Sequence, residues 1–370
     1  MSNFDATNRE QLIKAVNLAR AALATQDYIP AYKHFCFADG FVSAYNDIAA
    51  IKIKNDLDLE VCIPGEMLIK ALGSFNAEKV LLQPNDDGSL LISSGRSKLK
   101  VPTLPAKDFP LAIPDGKKVP VVGVAEGLLL GIQRCLISAG NDPTHPATMG
   151  VTLDQEDGKA VLFSTDNVTI SRFATKHKTE LPGDAPVILP RFFCEQLVAL
   201  SKAFPFCVVD VELHAGALVA YFFDEHEVEH AVLFQKTLVD LEPLDFPKII
   251  GKHVKVKGLA DQLTEIPPAF DAAFDRALLV LGAEADKATK ITQTDEAIKL
   301  LSTSSVGEAS DSITCDSLAE GEAPVEPFLV DPTMVSRAFK ACTHMALLPR
   351  IMVMANKDAS FVHLIAHCSA

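Results

Sequence analysis

The sequence predicts an α+β protein built from three diverged copies of one module, each with two helices packed on antiparallel sheet. Three observations predict it. First, Leu104-Pro105-Ala106-Lys107-Asp108-Phe109-Pro110 is answered further on by Leu241-Glu242-Pro243-Leu244-Asp245-Phe246-Pro247. Second, a similar amphipathic helix opens each third of the chain. Third, a second helix with proline at its start follows in each third. The length agrees, because 370 residues exceed the roughly 250 at which single hydrophobic cores stop growing.

The opening helices are expected over residues 9–23, 124–139 and 268–281. Leu12, Val16, Ala19 and Leu23 form the apolar stripe of the first, at helical spacing. Leu128, Ile132, Cys135 and Leu136 do so in the second, and Phe270, Phe274, Ala277 and Leu278 in the third. Within them Arg20-Ala21-Ala22-Leu23, Arg134-Cys135-Leu136-Ile137 and Arg276-Ala277-Leu278-Leu279 are nearly superimposable. The second helices are expected to begin at Pro64, Pro190 and Pro332, where a missing N–H costs no hydrogen bond. Alternating stretches at 33–39, 40–54, 90–101, 160–165, 168–176 and 208–223 read as strands. Asp39-Gly40 and Asp87-Gly88 read as hairpin turns. Proline ends regular structure, so each Asp-Phe-Pro is expected to close a module and lead into a linker. The domains are then 1–120, 121–250 and 251–370.

Composition bounds the function. Apolar residues make up 48% and charged residues 22%, an ordinary globular balance. No apolar run approaches the ~20 residues that span a bilayer, so no membrane partner is expected. Met1-Ser2-Asn3-Phe4-Asp5 has neither the basic region nor the apolar core of a secretion signal. The eight cysteines contain no CxxC and mostly sit in apolar stretches, which reads as buried, reduced thiols in a cytoplasmic protein.

Enzymatic signals are weak. No Walker-type loop, no GxGxxG after a strand and no GxSxG is present. Asn141-Asp142-Pro143-Thr144-His145-Pro146 reads as a loop leaving a helix. His226-Glu227-Val228-Glu229-His230 matches HExxH literally, a pattern that needs both histidines on one helix face. Its flanks, 218–223 and 231–234, read as strands around a hairpin tip, so a zinc-dependent hydrolase using His226, Glu227 and His230 is the minor alternative. The expectation is a non-enzyme with no catalytic residues, no cofactor and no metal.

The net charge of −14 would repel phosphate if it were spread evenly. It is not. Arg9, Lys14, Arg20, Lys70, Arg134, Arg191, Lys202, Arg276, Arg337 and Lys340 ride on the six expected helices, while acids concentrate at 56–60, 224–229 and 308–326. For a single helix, solvated faces are the plain explanation. Six helices each bearing a cation point instead to one basic surface that tracks phosphates by many weak contacts.

Several stretches carry a family resemblance. They are Ser94-Gly95-Arg96-Ser97-Lys98-Leu99-Lys100-Val101-Pro102-Thr103-Leu104-Pro105 running into Asp108-Phe109-Pro110, then Ser164-Thr165-Asp166, Ile188-Leu189-Pro190-Arg191 and Asp245-Phe246-Pro247. With them the chain resembles the bacterial DNA polymerase III beta subunit, the sliding clamp, as a diverged copy. Phage and host chromosomal origins both fit that divergence. The resemblance implies the DNA clamp fold, in which two three-domain chains form a six-domain ring with helices lining the hole. It implies a homodimer around double-stranded DNA, serving as processivity factor for a replicative DNA polymerase in DNA replication and opened by a clamp loader.

Ring closure would set Arg96, Lys98, Leu99 and Val101 against Leu279, Val280, Glu308 and Asp311 of a second copy. The partner-peptide pocket would use Thr165, Ile170, Pro247, Leu364 and Ile365. The sequence departs from the family pattern twice. Gly-His-Arg-Leu is replaced by Asn167-Val168-Thr169-Ile170, and the Met-Pro-Met-Arg-Leu tail by Ala366-His367-Cys368-Ser369-Ala370. Those changes imply a reshaped pocket, and they leave room for a clamp-fold scaffold without DNA function.

Overall fold

The computed structural model describes residues 6–26, 29–113, 119–123, 126–178, 181, 185–214, 216–237, 241–282, 287–294, 296–314 and 325–368. Seven α-helices lie among them: α1 (Arg9–Ala19), α2 (Gly65–Ser74), α3 (Glu126–Cys135), α4 (Arg191–Ala203), α5 (Phe246–Gly251), α6 (Ala269–Leu281) and α7 (Pro332–Phe339). The three opening helices are therefore α1, α3 and α6. The first two finish as 3₁₀ turns at Arg20–Ala22 and Leu136–Ser138, so regular helix stops short of the expected ends. Residues 124 and 125 of the expected second helix lie outside the described residues.

The prolines act differently from expectation. Pro64 stands before α2 as its cap, and Pro190 ends the strand that precedes α4. Only Pro332 sits in the first turn, where Asp331 caps the helix by accepting from the Thr333 N–H at 2.7 Å. The second Asp-Phe-Pro does not close a module. Asp245 accepts from the Lys248 N–H at 3.0 Å and starts α5, with Pro247 in its first turn. Its counterpart Asp108 ends a 3₁₀ turn instead, so the two copies of the signal have diverged in conformation.

The chain forms two compact units, residues 1–125 with 195–240 and residues 126–194 with 241–370. In the first, nine antiparallel strands follow the order Val119–Gly123, Val208–His214, Ala217–Phe223, Glu229–Lys236, Ala49–Lys54, Phe41–Tyr45, His34–Ala38, Val61–Pro64, Leu104–Pro105. A smaller sheet orders Thr7–Asn8, Lys79–Pro84, Ser89–Ser94 and Ser97–Pro102. In the second unit, eight strands run Val187–Pro190, Gly150–Glu156, Lys159–Thr165, Thr169–Lys178, Phe361–Ala366, Ile351–Ala355, His344–Leu348, Thr264–Glu265. A four-stranded sheet orders Glu308–Thr314, Ala297–Thr303, Thr289–Gln293 and Phe328–Val330.

The units cut through the middle third because backbone ladders cross the repeat boundaries. Ala231 to Gln235 pair with Ile53 to Ala49, and Thr169 to Phe173 pair with Ile365 to Phe361. The expected strands 40–54, 90–101 and 208–223 each prove to be a hairpin, and a further hairpin turns at Asp39-Gly40 as expected. Asp39 and Gly40 take φ of 52° and 73°, the positive values of a type I′ turn.

The helices pack by their apolar stripes. α1 lies on the Ala49–Lys54 strand with Leu12, Val16 and Ala19 buried, as the spacing predicts, together with Ala15. α6 buries Phe270, Phe274 and Ala277, where the two phenyl rings meet Phe339 of α7. α3 approaches the Thr169–Lys178 strand through Gly131, where a Cβ would collide with the side chains of Leu162 and Phe173. Gly131→Val is therefore expected to lower the unfolding free energy by roughly 1–3 kcal/mol, the usual cost of overpacking. Urea denaturation measures it, and an unchanged midpoint would refute the close approach.

Candidate nucleic-acid interface and partner surfaces

The ten cations expected to contact DNA fall into two groups. Five are tied within the chain. Arg9 donates Nη1 to the carbonyls of Leu72 (3.1 Å) and Phe75 (2.6 Å), closing the end of α2. Arg20 pairs with Glu66 at 2.9 Å, both exposed. Arg134 donates to the Lys340 carbonyl at 3.1 Å and lies over the Phe361 ring. Arg191 donates to the Ala139 carbonyl at 2.5 Å, and Arg276 grips Asp311 with two bonds of 2.5 and 3.2 Å. That last pair ties a cation expected at DNA to an acid expected at the dimer edge, and leaves each less available for those roles.

Lys14, Lys70, Lys202, Arg337 and Lys340 are exposed on their helices or helix ends. Lys14 Nζ stands 5.9 Å from the Phe204 ring centroid, and Arg337 touches only the Met334 sulfur among the described contacts, at 3.6 Å. Exposed lysines on flexible stems suit mobile phosphate contact, since they carry charge without a fixed hydrogen-bond geometry. Arg191 and Arg337 also meet in one concavity of about 420 Å³, together with Gln133, Asn141 and Asp166.

Two sheet edges bear the residues expected at the ring seam. Ser97–Pro102 ends one four-stranded sheet and Glu308–Thr314 ends the other. Arg96 and Lys98 are exposed, Leu99 half-buried, and Val101 fully buried in its own core. Val101 therefore supports the edge from beneath and offers it no surface. On the other edge Glu308 is exposed, and on α6, which packs against that strand, Leu279 is 82% exposed, an unusual degree for leucine. Leu99 lines a groove of about 1030 Å³ with Met67, Lys70 and Ala71 of α2. Met67, 43% exposed, was not among the expected residues; its place off the apolar stripe of α2 was the available signal.

The expected peptide pocket resolves by strand register. Thr165 lies opposite Ile170, Ile170 opposite Leu364, and Leu364 opposite Val353, so these four form one row across the sheet. Ile365, one residue on, projects to the other face. The row borders a buried cluster that includes Phe163, Phe246, Ile250 and Leu259, with Phe246 stacked on Phe163 at 5.1 Å. Pro247 is exposed on α5, and Leu244 packs on the cluster.

The altered 166–170 segment is a firm turn. Asp166 accepts from the N–H groups of Val168 (3.1 Å) and Thr169 (2.6 Å), and Asn167 takes φ of 70°. Val168 stands 43% exposed at its tip. The tail is held as well: His367 stacks on Phe328 at 3.7 Å, and the Cys368 N–H donates to the Leu329 carbonyl at 2.8 Å. Ser369 and Ala370 lie outside the described residues.

The HExxH segment takes the hairpin backbone its flanks predict, which leaves the zinc-hydrolase alternative without its helix. Residues 224–228 form the hairpin tip between Ala217–Phe223 and Glu229–Lys236, with Glu227 at φ of 60°. No helix places His226 and His230 on one face. His230 instead bonds Asp224 at 2.8 Å, which holds that carboxyl at about 2, well below its usual range. Among the described residues no group of His, Cys, Asp or Glu could hold a metal ion, and no helix is long and apolar enough to cross a membrane.

The fold matches the sliding clamp (DNA polymerase III subunit beta) of Bartonella birtlesii at TM-score 0.82 and 16% identity, over 99% of each chain. It matches DNA polymerase III beta subunit from Thermotoga maritima at TM-score 0.79 and 17% identity, again over 99% of each chain. The C. crescentus beta sliding clamp matches at TM-score 0.81 and 19% identity, over 99% of this chain and 98% of that one. The protein has the DNA sliding-clamp fold along its whole length. Residues 4–114 match the family model of the DNA polymerase III beta subunit, N-terminal domain. No curated protein sequence matches the chain.

A buried polar layer at the Thr169–Lys178 and Phe361–Ala366 seam makes this region sensitive to acid. His363 lies opposite Ser171 and bonds it at 3.0 Å, and Ser138 bonds Ser171 at 2.8 Å. Burial lowers the His363 pKa to about 4, with Asp166 opposing and Arg337 reinforcing the shift. A folded-state pKa below the ordinary ~6.5 means the unfolded chain binds the proton first, so stability present above pH ~6.5 is lost as pH falls towards 4. The full loss is about 3 kcal/mol. Urea titrations across that range should show this component in the native chain and not in His363→Gln; parallel curves would refute it.

Proposed function

We propose that the protein is a processivity clamp: two chains closed head to tail around double-stranded DNA, tethering a replicative polymerase by topology. The observation that carries this reading is the full-length clamp fold joined to a set of exposed helix-borne lysines in a chain of net charge −14. Such a charge distribution favours sliding, because phosphate contacts are weak and sequence-blind while the acidic remainder discourages other anions. Each chain supplies three clamp domains, 1–120, 121–250 and 251–370. The protein performs no chemistry of its own, works in the cytoplasm, and needs a clamp loader to open the ring.

Closure pairs the Ser97–Pro102 edge of one chain with the Glu308–Thr314 edge of the other, a head-to-tail contact that repeats to close a ring. The exposed Leu279 enters the groove of Leu99, Met67 and Ala71. Arg96 and Lys98 face Glu308. The pocket of Thr165, Ile170, Pro247, Leu364 and Ile365 receives the polymerase and loader peptides through its accessible members, exposed Pro247 and half-buried Ile170, with Val168 and the tied tail altering its rim. That altered rim also favours a second reading, a clamp-fold scaffold without DNA function, which the same experiments separate.

Sedimentation should give a particle near twice the chain mass of 39.8 kDa, reduced to one chain by Leu279→Asp. A native monomer would overturn ring closure. With a clamp loader and ATP, the protein should stay on nicked circular plasmid through gel filtration and leave it after linearisation. Lys70→Glu, Lys202→Glu and Lys340→Glu combined should weaken retention severalfold and flatten its salt dependence. Equal retention on circular and linear DNA would refute topological binding, and a dimer without retention would favour the scaffold.

A further inference from the structure

Two cysteines that the clamp reading leaves unused form a built pair. On the antiparallel strands His34–Ala38 and Val61–Pro64, Cys36 lies directly opposite Cys62. Opposite residues of an antiparallel ladder project to one face with Cα atoms about 4.5–5.5 Å apart, inside the ~4.4–6.8 Å that a disulfide spans. Both sulfurs also reach for the same short stretch. Cys36 Sγ is 4.0 Å from the Ala106 carbonyl and Cys62 Sγ 3.8 Å from the Pro105 carbonyl. The neighbours Phe35, Phe37 and Ile63, which alternate to the opposite face, are fully buried.

The cover over the pair is thin. Leu104–Pro105 adds only two residues to the sheet edge, and the 3₁₀ turn Ala106–Asp108 that follows has no buried residue. Both thiols are nearly inaccessible in the closed form, at 4% and 0% exposure. Lifting one edge segment uncovers them, and short exposed segments with few buried contacts open locally far more often than the whole domain unfolds.

We propose that Cys36 and Cys62 are a redox modification site, an oxidisable dithiol that closes to a cross-strand disulfide beneath the 104–108 segment. With a hydroperoxide as oxidant, the Cys62 thiolate attacks the O–O bond, forming a sulfenic acid and releasing hydroxide. The Cys36 sulfur then attacks the sulfenic sulfur, the S–S bond forms and water leaves. Two thiols and one hydrogen peroxide give one disulfide and two waters, the sulfurs supplying both electrons. The proximity of the two thiols fits these roles: Cys62 and burial together raise the pKa of Cys36 and keep its proton on, while Cys36 lowers that of Cys62 and favours its thiolate. Oxidation removes both S–H donors from the Pro105 and Ala106 carbonyls and so loosens the 104–108 segment.

The test uses the full-length protein treated with hydrogen peroxide, quenched, then denatured for thiol counting and peptide mapping. The expected result is a loss of two thiols from eight and a peptide linking Cys36 to Cys62. Faster proteolysis after Lys107 should accompany it. Cys36→Ala and Cys62→Ala should each abolish the linked peptide, and the mapping on the native chain needs neither variant to fold. Eight thiols remaining, a disulfide between other cysteines, or sulfinic acid at one of the pair without linkage would each overturn the proposal.

Discussion

The structure depends on backbone hydrogen bonding that does not stop where the repeats stop. A strand pair needs partners on both sides or a protected edge, and a module with exposed edges invites unwanted pairing. Here the Glu229–Lys236 strand completes its ladder on Ala49–Lys54, and Thr169–Lys178 completes its ladder on Phe361–Ala366. Both junctions are main-chain contacts between thirds of the sequence that are far apart along the chain. Because such bonds are geometrically demanding, they hold register firmly: a shift of one residue would turn Ile170 and Leu364 away from the Phe163–Phe246 cluster.

The same constraint explains where free edges are found. Ser97–Pro102 and Glu308–Thr314 end their sheets, and the first is guarded by Lys98 and Lys100. Charged edges resist indiscriminate pairing yet accept an edge of opposite charge, so self-assembly can be specific. In the proposed closure the exposed Leu279 would add what charge alone lacks, an apolar anchor. The polar layer around His363 and the dithiol at Cys36 and Cys62 both sit on paired strands, where a small chemical change acts on a ladder.

The repeat was legible because it rests on local signals. The apolar spacing of Leu12, Val16 and Ala19, or of Phe270, Phe274 and Ala277, needs no knowledge of partners, and each proved to be a buried stripe. Hairpin positions were legible for the same reason, through Asp39-Gly40 and its relatives. The candidate site was legible only in outline. Charge type and helix membership marked the cations, yet nothing local told Arg276, held by Asp311, from Lys70, exposed on α2.

By itself, the sequence determined the α+β class, the three-fold repetition, most helix and strand positions, and the excess of cations on helices. These follow from periodicity and turn chemistry, which act over a few residues. Tertiary structure decided which strands join across repeats, which face each side chain takes, and which cations are already engaged. It also brought Cys36 beside Cys62 across a ladder. The physical reason is range: register and pairing are settled by backbone hydrogen bonds between distant segments, and no short window of sequence contains both partners.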